Sequence, residues 1–486
     1  MPSSQTTKLL FDPQAKWVYL ASGAFVVLAM LGLITEKFWV LGIPFVLLVV
    51  WFAIFRLDWL MLTITAFIPL GITLTDKQFN LGLSLPTEPL LFGVLCLVIG
   101  RFLLNGEVNV KLLKHPMSIA IWVYLLWMFL TTLTSSMPIV SLKYLIARLW
   151  FIIPFYVVMS QVFRKNAKNY DRFFALYLVS LCIAALYTIY VHSQYGFSKQ
   201  ASTWVMFPFY KEHTSWGAAL AMYYPVSWVF LVRSKLSPAM RLAAGLAVGI
   251  LTVALVLSYT RAAWVSLVAA GAVYVVVKFK VKWYFLVLAG MGVVLMGYAN
   301  RDLILNKFSK NTQDSSEKLT EHVQSISNIS TDASNLERIN RWNSALRMFG
   351  ERPFMGWGPG TYMFKYAPFQ KPHEKTIIST NGGNRGNAHS EYIGPMAESG
   401  IFGLITVLGI VVAFSVYGVK VYYQLESEKL RSLGMAALLG LVTYFTHGLL
   451  NNFLDMDKLS LPVWGFMAVI VSLDLYQKKG ISQKKA

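Results

Sequence analysis

The composition identifies an integral membrane protein and excludes a soluble domain. Of the 486 residues, 56% are hydrophobic and only 14% are charged, whereas charged residues make up about a quarter of an ordinary soluble domain. The formal net charge of +20 could indicate a nucleic-acid partner, but most of the basic residues lie in short links between apolar runs, where they determine membrane topology. We therefore expect no nucleic-acid partner.

Apolar runs of about 17 to 25 residues recur along the chain, and each is long enough to cross about 30 Å of hydrocarbon. The sequence thus predicts an all-α polytopic integral membrane protein with about 12–14 transmembrane helices. The first run lacks a small-residue cleavage site and is predicted to be a retained span. The runs lie at residues 17–35, 38–55, 57–74, 88–105, 117–135, 139–162, 171–193, 217–233, 239–258, 260–278, 283–299, 401–422, 432–449 and 460–476.

The distribution of Lys and Arg predicts the orientation. With the amino terminus inside, more than half of the 43 Lys and Arg lie in inward links and tails, and the short outward links hold far fewer. Cytoplasmic loops of membrane proteins carry such an excess. Both termini are therefore predicted to be cytoplasmic, and the long polar interval before residue 401 is predicted to lie outside.

Four regions follow from this topology. They are an amino-terminal bundle, a large outside loop, carboxy-terminal helices and a cytoplasmic basic tail, over residues 1–299, 300–400, 401–476 and 477–486. A second outward link, residues 191–216, carries aromatic residues and His213, a candidate substrate-binding residue. The two cysteines lie in predicted spans and offer neither a disulfide framework nor a zinc site.

The outside loop contains one predicted amphipathic helix. Its start is marked by Ser334 and Glu337, an S-x-x-E capping box that follows an irregular entry. Apolar residues at helical spacing predict the face that packs against an apolar surface: Leu336, Ile339, Trp342, Leu346 and Phe349. A tight turn built on three glycines comes next, at Gly356, Gly358 and Gly360.

Arg261 lies in the run VLSYTR, where one predicted span ends outside and the next begins. A cation near the membrane centre costs roughly 2.5 to 3.5 kcal/mol, and less near an interface. Arg261 either snorkels at that interface or binds an anion in an outward cavity. In the second case the hydroxyls of Ser258, Tyr259 and Thr260 are candidate neighbouring donors.

Arg338 and Arg341 lie three residues apart on nearly the same face of the loop helix. Exposed arginines are common on surface helices, so one interpretation gives them no specific role. The alternative is a diphosphate site, because guanidinium is planar, always charged and matched to two oxygens at once. Two or three arginines from separate segments could neutralise a leaving pyrophosphate.

His389 lies just before the chain re-enters the membrane, in the segment NAHSEY. A lone histidine is usually structural, but an imidazole with a pKa near 6.5 suits removal of a hydroxyl proton near neutral pH. Tyr392 is a candidate substrate-binding residue beside it. Glu391 and Glu398 share a helical face, so either could orient the imidazole or act as the base itself, and Glu398 is also a candidate substrate-binding residue.

Two more cations lie near the outer end of another predicted span. Lys143 and Arg148 could hold a lipid phosphate, although a snorkelling pair is the simpler interpretation. The tripeptide from Asp455 to Asp457 has the form of a metal-binding D-x-D, but no nucleotide-binding α/β domain surrounds it and we interpret it as a loop. The sequence predicts no metal site and no cofactor.

Together these pieces resemble the bacterial superfamily of O-antigen ligases and O-antigen polymerases, membrane glycosyltransferases that use a lipid carrier. The resemblance rests on S-x-[ST]-R at residues 258–261, on the glycine turn, and on two further sets of residues. The first set is Arg338, Trp342, Ala345 and Pro353, and the second is Ala388, His389, Tyr392, Glu398, Gly400 and Gly403. The chain departs from the family in Ser390, where many relatives carry Asn, and in having more predicted spans than the usual dozen.

The resemblance implies transfer of a glycan from an undecaprenyl diphosphate carrier, without metal or nucleotide, at the periplasmic face of the bacterial inner membrane. The family's essential residues would fall on Arg261, Arg338 and His389, and Arg341 could take the place of Arg338. A ligase has the lipid A-core as its acceptor. The alternatives are a polymerase that joins lipid-linked repeat units, a protein O-oligosaccharyltransferase and, from a different class, a transporter.

Overall fold

The computed structural model describes residues 16–76, 81–106, 109–233, 236–282, 333–376, 379 and 386–484. The predicted span 283–299 and the predicted irregular entry to the loop, up to residue 332, lie outside the described residues. By its internal packing the chain divides into two compact units, residues 1–61 and 62–486. All the candidate site residues belong to the second unit.

Helices make up almost all of the regular structure in the described residues, which confirms the predicted all-α polytopic class. From the amino terminus to the long loop they are α1 Lys16–Ile34, α2 Ile43–Phe55, α3 Leu57–Phe67, α4 Thr87–Asn105, α5 Val110–Leu113, α6 Pro116–Leu133, α7 Pro138–Ile152, α8 Met159–Lys165, α9 Lys168–Ser193, α10 His213–Leu231, α11 Pro238–Leu257 and α12 Arg261–Lys278. From the loop onward they are α13 Ala333–Glu351, α14 Tyr362–Lys365, α15 Ile393–Gln424, α16 Glu428–His447 and α17 Asp457–Lys484.

Eight of the described helical stretches are long and apolar enough to cross a membrane. One of them, Pro138–Lys165, joins α7 to α8 through a π-helical turn at Ile153–Val158. Pro154 lies in that turn, and because proline has no N–H to donate, it favours such a local change of helical winding. The predicted span 139–162 is therefore confirmed as one continuous helical stretch.

The predicted span 57–74 is wrong at its end. Helix α3 stops at Phe67, and the chain then forms a short antiparallel hairpin from β1, Ile72–Asp76, and β2, Leu81–Leu85. In its register Thr73 lies opposite Ser84. The β-branched pair Ile72 and Thr73 favours an extended strand over a helix.

Two helices near the carboxy terminus form the interior of the second unit. In α17, 94% of the window Asp457–Leu475 is buried, as expected for a helix that is apolar on every side. Helix α16 packs against α10 and α12. The start of α10 lies near the end of α16, because His213 acts electrostatically on His447.

The loop packs on α15 through a small apolar core, but the face of α13 that it uses was not the predicted one. The core consists of Ala345, Met348, Tyr362, Tyr366, Ala388 and Ala397. Leu336 and Leu346, from the predicted face, are exposed. The buried face carries Glu337, Asn340 and Arg341 instead, which is possible because these polar groups hydrogen bond one another and the rest of the loop.

Candidate active site

The glycine turn fixes the loop to the start of α15. Gly356 has φ +66° and Gly358 has φ +112°, a backbone region that glycine adopts at no steric cost. The N–H of Gly358 donates to the carbonyl oxygen of Glu398 at 2.7 Å. A Cβ on Gly356 would lie 2.3 Å from the carbonyl carbon of Glu398, so the close approach also requires glycine. The turn predicted from sequence is confirmed.

The main chain around His389 is held from two sides. Trp342 of α13 donates its indole N–H to the carbonyl oxygen of His389 at 3.4 Å. From the other side, the N–H of Glu391 donates to the carbonyl oxygen of Gly448 at 2.8 Å, directly after α16. His389 itself has φ +48°, an uncommon conformation for a residue with a side chain. Such strained residues concentrate at functional sites.

The imidazole of His389 is partly buried and lies in a positive environment. Burial, followed by the guanidiniums of Arg338 and Arg341, lowers its pKa to about 4, against opposing effects of Glu337 and of a side-chain hydrogen bond with Asn451. At neutral pH the imidazole is therefore neutral. A neutral imidazole can accept a proton, which is the property that a general base requires.

Arg338 reaches from α13 to the segment that follows α16. Its Nε–H donates to the carbonyl oxygen of Leu450 at 3.2 Å. Its charge acts on His389, on His447 and on Glu212, from three separate parts of the chain. Arg338 and His389, predicted separately from sequence, are thus brought together.

Arg261 begins α12 next to the start of α10. The hydroxyl of the preceding residue, Thr260, donates to the carbonyl oxygen of His213 at 2.8 Å. The Ser258 hydroxyl donates to the carbonyl oxygen of Leu255, so these two hydroxyls are engaged by backbone and do not form the predicted row of ligand donors. His213 acts electrostatically on His447, as Arg338 does. This connects the start of α12 to the site, while a meeting of Arg261 with His389 stays a prediction.

Arg341 is oriented differently from Arg338. It is 4% exposed, its Nε–H donates to Glu337 Oε1 at 2.7 Å, and its guanidinium lies 4.5 Å from the ring centre of Tyr366. The carboxylate of Glu337 also accepts from the hydroxyl of Ser379, and these hydrogen bonds lower its pKa against the opposing effect of burial. Arg341 thus contributes to the interior of the loop, and its predicted diphosphate contact remains untested.

Glu391 and Tyr392 tie the His389 segment to α16 and to the residues after it. Glu391 Oε1 accepts from the Tyr444 hydroxyl at 2.5 Å and from the N–H of Phe453 at 2.8 Å. The Tyr392 hydroxyl donates to the carbonyl oxygen of Phe445 at 2.9 Å. Since each side chain is engaged in packing against α16, the geometry favours a supporting role for both.

A cavity of about 110 Å³ with a mostly apolar lining lies next to the His389 segment. Asn387, Ala388 and Ser390 form part of its wall, and its charged lining residues are Arg148, Glu391 and Glu398. Glu398 Oε1 accepts from the N–H of Tyr362 at 2.9 Å. This space is large enough to hold water molecules beside those charged groups.

The two cations of α7, Lys143 and Arg148, lie in different environments. Arg148 is 3% exposed and does not snorkel, because it donates to the carbonyl oxygen of Leu454 and to the Tyr144 hydroxyl, each at 2.5 Å. Lys143, five residues earlier, is exposed. The structure therefore does not bring them together as a pair for one lipid phosphate.

The segment after α16 contains residues that the sequence analysis missed. His447 is 1% exposed and neither of its ring nitrogens has a hydrogen-bond partner among the described residues. Asn451 is 2% exposed, and it raises the pKa of His389 against the larger effects of burial and the two guanidiniums. The signal was present as HGLLNN at the outer end of the predicted span 432–449, where several polar residues interrupt an apolar run.

The arrangement joins a neutral imidazole to guanidinium groups outside the long apolar helices. It can remove a proton from a hydroxyl and stabilise negative charge that develops nearby. No cluster of three or more metal-ligating side chains occurs in the part of the chain that the structure describes. Asp457 of the D-x-D tripeptide instead accepts a hydrogen bond from the hydroxyl of Thr87 at 2.5 Å.

Comparison with known proteins identifies a family match over one part of the chain. Residues 246–408 match the family model described as O-antigen ligase. No curated protein matches the chain. The matched stretch includes Arg261, Arg338 and His389 and all the other residues on which the predicted resemblance rests, and it confirms that resemblance. It also supports a membrane glycosyltransferase of the ligase and polymerase family.

Proposed function

We propose, from the membership of residues 246–408 in the O-antigen ligase superfamily, that this chain is an O-antigen ligase. It transfers a glycan from undecaprenyl diphosphate to a hydroxyl of lipid A-core, at the periplasmic face of the bacterial inner membrane. The large loop is periplasmic and both termini are cytoplasmic in this proposal. The donor and the acceptor are both lipids and approach through the bilayer.

The reaction is a direct inverting displacement. The acceptor oxygen attacks the anomeric carbon of the donor glycan, and a new carbon–oxygen bond forms as the bond to the diphosphate oxygen breaks. His389 accepts the proton of the acceptor hydroxyl, and undecaprenyl diphosphate leaves as an anion. Arg338 and Arg261 stabilise the charge on the leaving diphosphate, an electrostatic contribution that is usually the largest one in catalysis.

The observation that carries the proposal is the proximity of Arg338 to His389. One of these residues is on α13 and the other is in the segment before α15, and the guanidinium lies close enough to lower the imidazole pKa. A general base beside an anion-binding cation matches the needs of transfer from a diphosphate carrier. It would not be required in a transporter, where ionisable residues within the spans mark the substrate path.

Binding of the donor would also make the imidazole of His389 a stronger base. In the free site, burial and the two guanidiniums lower the pKa of His389 to about 4, which makes the imidazole a weak base. A diphosphate bound at Arg338 brings negative charge that favours the protonated imidazole, so the pKa rises when the donor is present. Proton removal from the acceptor would therefore be most effective when the donor occupies the site.

The test of the proposal is the lipopolysaccharide of a strain that lacks this chain. If the chain is a ligase, the deletion strain makes lipid A-core without any O-chain, and donor-linked glycan accumulates. Core that carries a single repeat unit would instead identify a polymerase. Normal lipopolysaccharide together with loss of glycan from a protein would identify a protein O-oligosaccharyltransferase.

A further inference from the structure

The link between α9 and α10, residues 194–212, is folded against the helices that it joins. Val205 and Met206 of the link are buried. The ring of His192, near the end of α9, hydrogen bonds with the carbonyl oxygen of Ser198 at 2.8 Å. Because buried side chains fix the link in place, it has a defined inner side and a defined outer side.

The outer side of this link is aromatic. We call its exposed rings, together with two from the end of α9, the aromatic surface: Tyr187, Tyr190, Tyr195, Phe197, Trp204 and Phe207. Tyr195 and Trp204 pack edge to face, with their ring centres 4.6 Å apart. Phe207 is 62% exposed, although its ring carries no polar atom. Exposed apolar patches of this kind mark sites of interaction with a protein or with a membrane.

The contacts of the aromatic surface favour a membrane as its partner. Helix α9 is long and apolar enough to cross a membrane. Its exposed apolar residues share one helical face, at Val179, Ile183, Leu186, Tyr187 and Tyr190. The ring of Phe209 lies edge-on to Tyr187 at 5.2 Å, so the link continues this lipid-facing surface. Tyrosine and tryptophan are enriched at membrane–water interfaces because each combines an apolar ring with a polar atom.

The same link contacts the residues that precede α12. The Tyr259 hydroxyl donates to the carbonyl oxygen of Phe197 at 3.2 Å. The Thr260 hydroxyl donates to the carbonyl oxygen of His213, directly after the link, at 2.8 Å. The position of the aromatic surface in the bilayer therefore determines that of Arg261, which is two residues after Tyr259.

We propose that the aromatic surface lies in the head-group layer of the bilayer, so that the link 194–212 is a membrane-embedded element and not an aqueous loop. The link carries two lysines and one glutamate, and this net positive charge is attracted to anionic lipids. Arg261 then lies at the depth of the lipid phosphates. The consequence for the substrate alone rests on the proposed function: a diphosphate on a membrane-anchored polyprenyl chain reaches Arg261 without leaving the head-group layer.

The test measures the depth of a fluorophore on the full chain in nanodiscs of phosphatidylcholine and phosphatidylglycerol. With both native cysteines removed by Cys96→Ala and Cys182→Ala, Phe207→Cys supplies a single site for an NBD label. Lipid that carries a nitroxide near its head group is expected to quench this label more than lipid with the nitroxide at the end of the acyl chain. Aqueous iodide is expected to quench it weakly. His373→Cys is the control, because the His373 side chain is 74% exposed at the loop surface and its label should be quenched strongly by iodide and by neither lipid.

Two results would overturn the proposal. Equal quenching of the Phe207 and His373 labels by iodide would show that the aromatic surface faces water. Protection of the Phe207 label from iodide and from both lipids would show that a second copy or another protein covers it. Trp204→Cys provides an independent position if Phe207→Cys does not insert. Because the measurement gives position and not turnover, a chain that transfers no glycan to lipid A-core would refute the ligase proposal and leave this result intact.

Discussion

Two groups of charged residues lie near the His389 segment, and they combine arginine and glutamate in opposite proportions. On the α13 side, two guanidiniums and one carboxylate act on the imidazole, and the carboxylate, Glu337, is paired with Arg341. In the cavity next to the segment, one guanidinium, Arg148, lies with the two carboxylates Glu391 and Glu398. The first region therefore has an excess of positive charge and the second does not.

In the proposed mechanism, this difference separates the site for the anion from a structural polar core. In the cavity region the charged groups hydrogen bond the main chain, and thereby connect α7, α15 and the segment after α16. Buried charges in proteins are generally paired in this way. On the α13 side, burial and then the two guanidiniums keep the imidazole neutral, and in the proposed mechanism these cations would receive the diphosphate.

Replacement of His389 is the strongest test of the distinction between a reactive region on the α13 side and a structural region at the cavity. His389→Ala is expected to reduce glycan transfer by about 100- to 10,000-fold, the usual contribution of a general base. Long-chain lipopolysaccharide in a complemented deletion strain provides the measurement, with the amount of membrane-inserted protein checked by immunoblotting. The control is His373→Ala, because the His373 side chain is 74% exposed at the loop surface. Normal banding with His389→Ala would remove the base from the mechanism.

Replacement of Arg338 is expected to impair catalysis, whereas replacement of Arg341 is expected to impair stability. Arg338→Ala should lower kcat by about 100- to 1,000-fold with little change in the melting temperature, as for loss of a group that stabilises transition-state charge. Arg341→Ala breaks a buried ion pair with Glu337 and should destabilise the loop by about 3–5 kcal/mol. Thermal melting in detergent and single-turnover kinetics separate the two effects. Equal melting temperatures for both variants would show that Arg341 is not held as described.

Binding of the donor should shift the pKa of His389, an effect that is smaller than those of the substitutions above. Undecaprenyl diphosphate is expected to raise the pKa of His389 from about 4 by about one unit or more, because its negative charge favours the imidazolium. The acid limb of kcat should therefore lie at higher pH than that of kcat/KM for the free enzyme. Modification by diethyl pyrocarbonate with and without the lipid provides the measurement. Undecaprenol, which lacks the diphosphate, is the control and should cause no shift.

The all-α polytopic class was predictable from sequence because it depends on long-range averages. Apolar runs and the bias of Lys and Arg need only composition, and the resemblance placed Arg338 and His389 in one loop. The structure adds that these two side chains lie together. It also corrects the prediction of which face of α13 is buried, since Leu336 and Leu346 are exposed. The prediction failed because a hydrophobic pattern gives no weight to polar side chains that hydrogen bond one another.

The parts that were not predictable depend on contacts between distant segments. The capping box assigned Glu337 to the helix start, whereas its carboxylate bonds Arg341 and Ser379. Arg148 was interpreted as a snorkelling residue because nothing near it in the sequence marks its partner Leu454, 306 residues away. Asn451 is likewise 62 residues from His389, and single-sequence periodicity carries no information about such a pair.

The smallest expected effect on turnover comes from replacement of Glu391, which lies two residues after the proposed base His389. Glu391→Gln keeps the size of the side chain but weakens acceptance from Tyr444 and from the N–H of Phe453, and it should cost about 1–3 kcal/mol of stability. The pKa of His389 should change little, because Glu391 is not among the groups that act on it most strongly. Turnover per folded molecule should then fall less than about threefold, a difference below 1 kcal/mol in barrier height. A large loss of kcat at an unchanged melting temperature would instead mean that Glu391 shares the role of base, and the division between a reactive and a structural region would no longer hold.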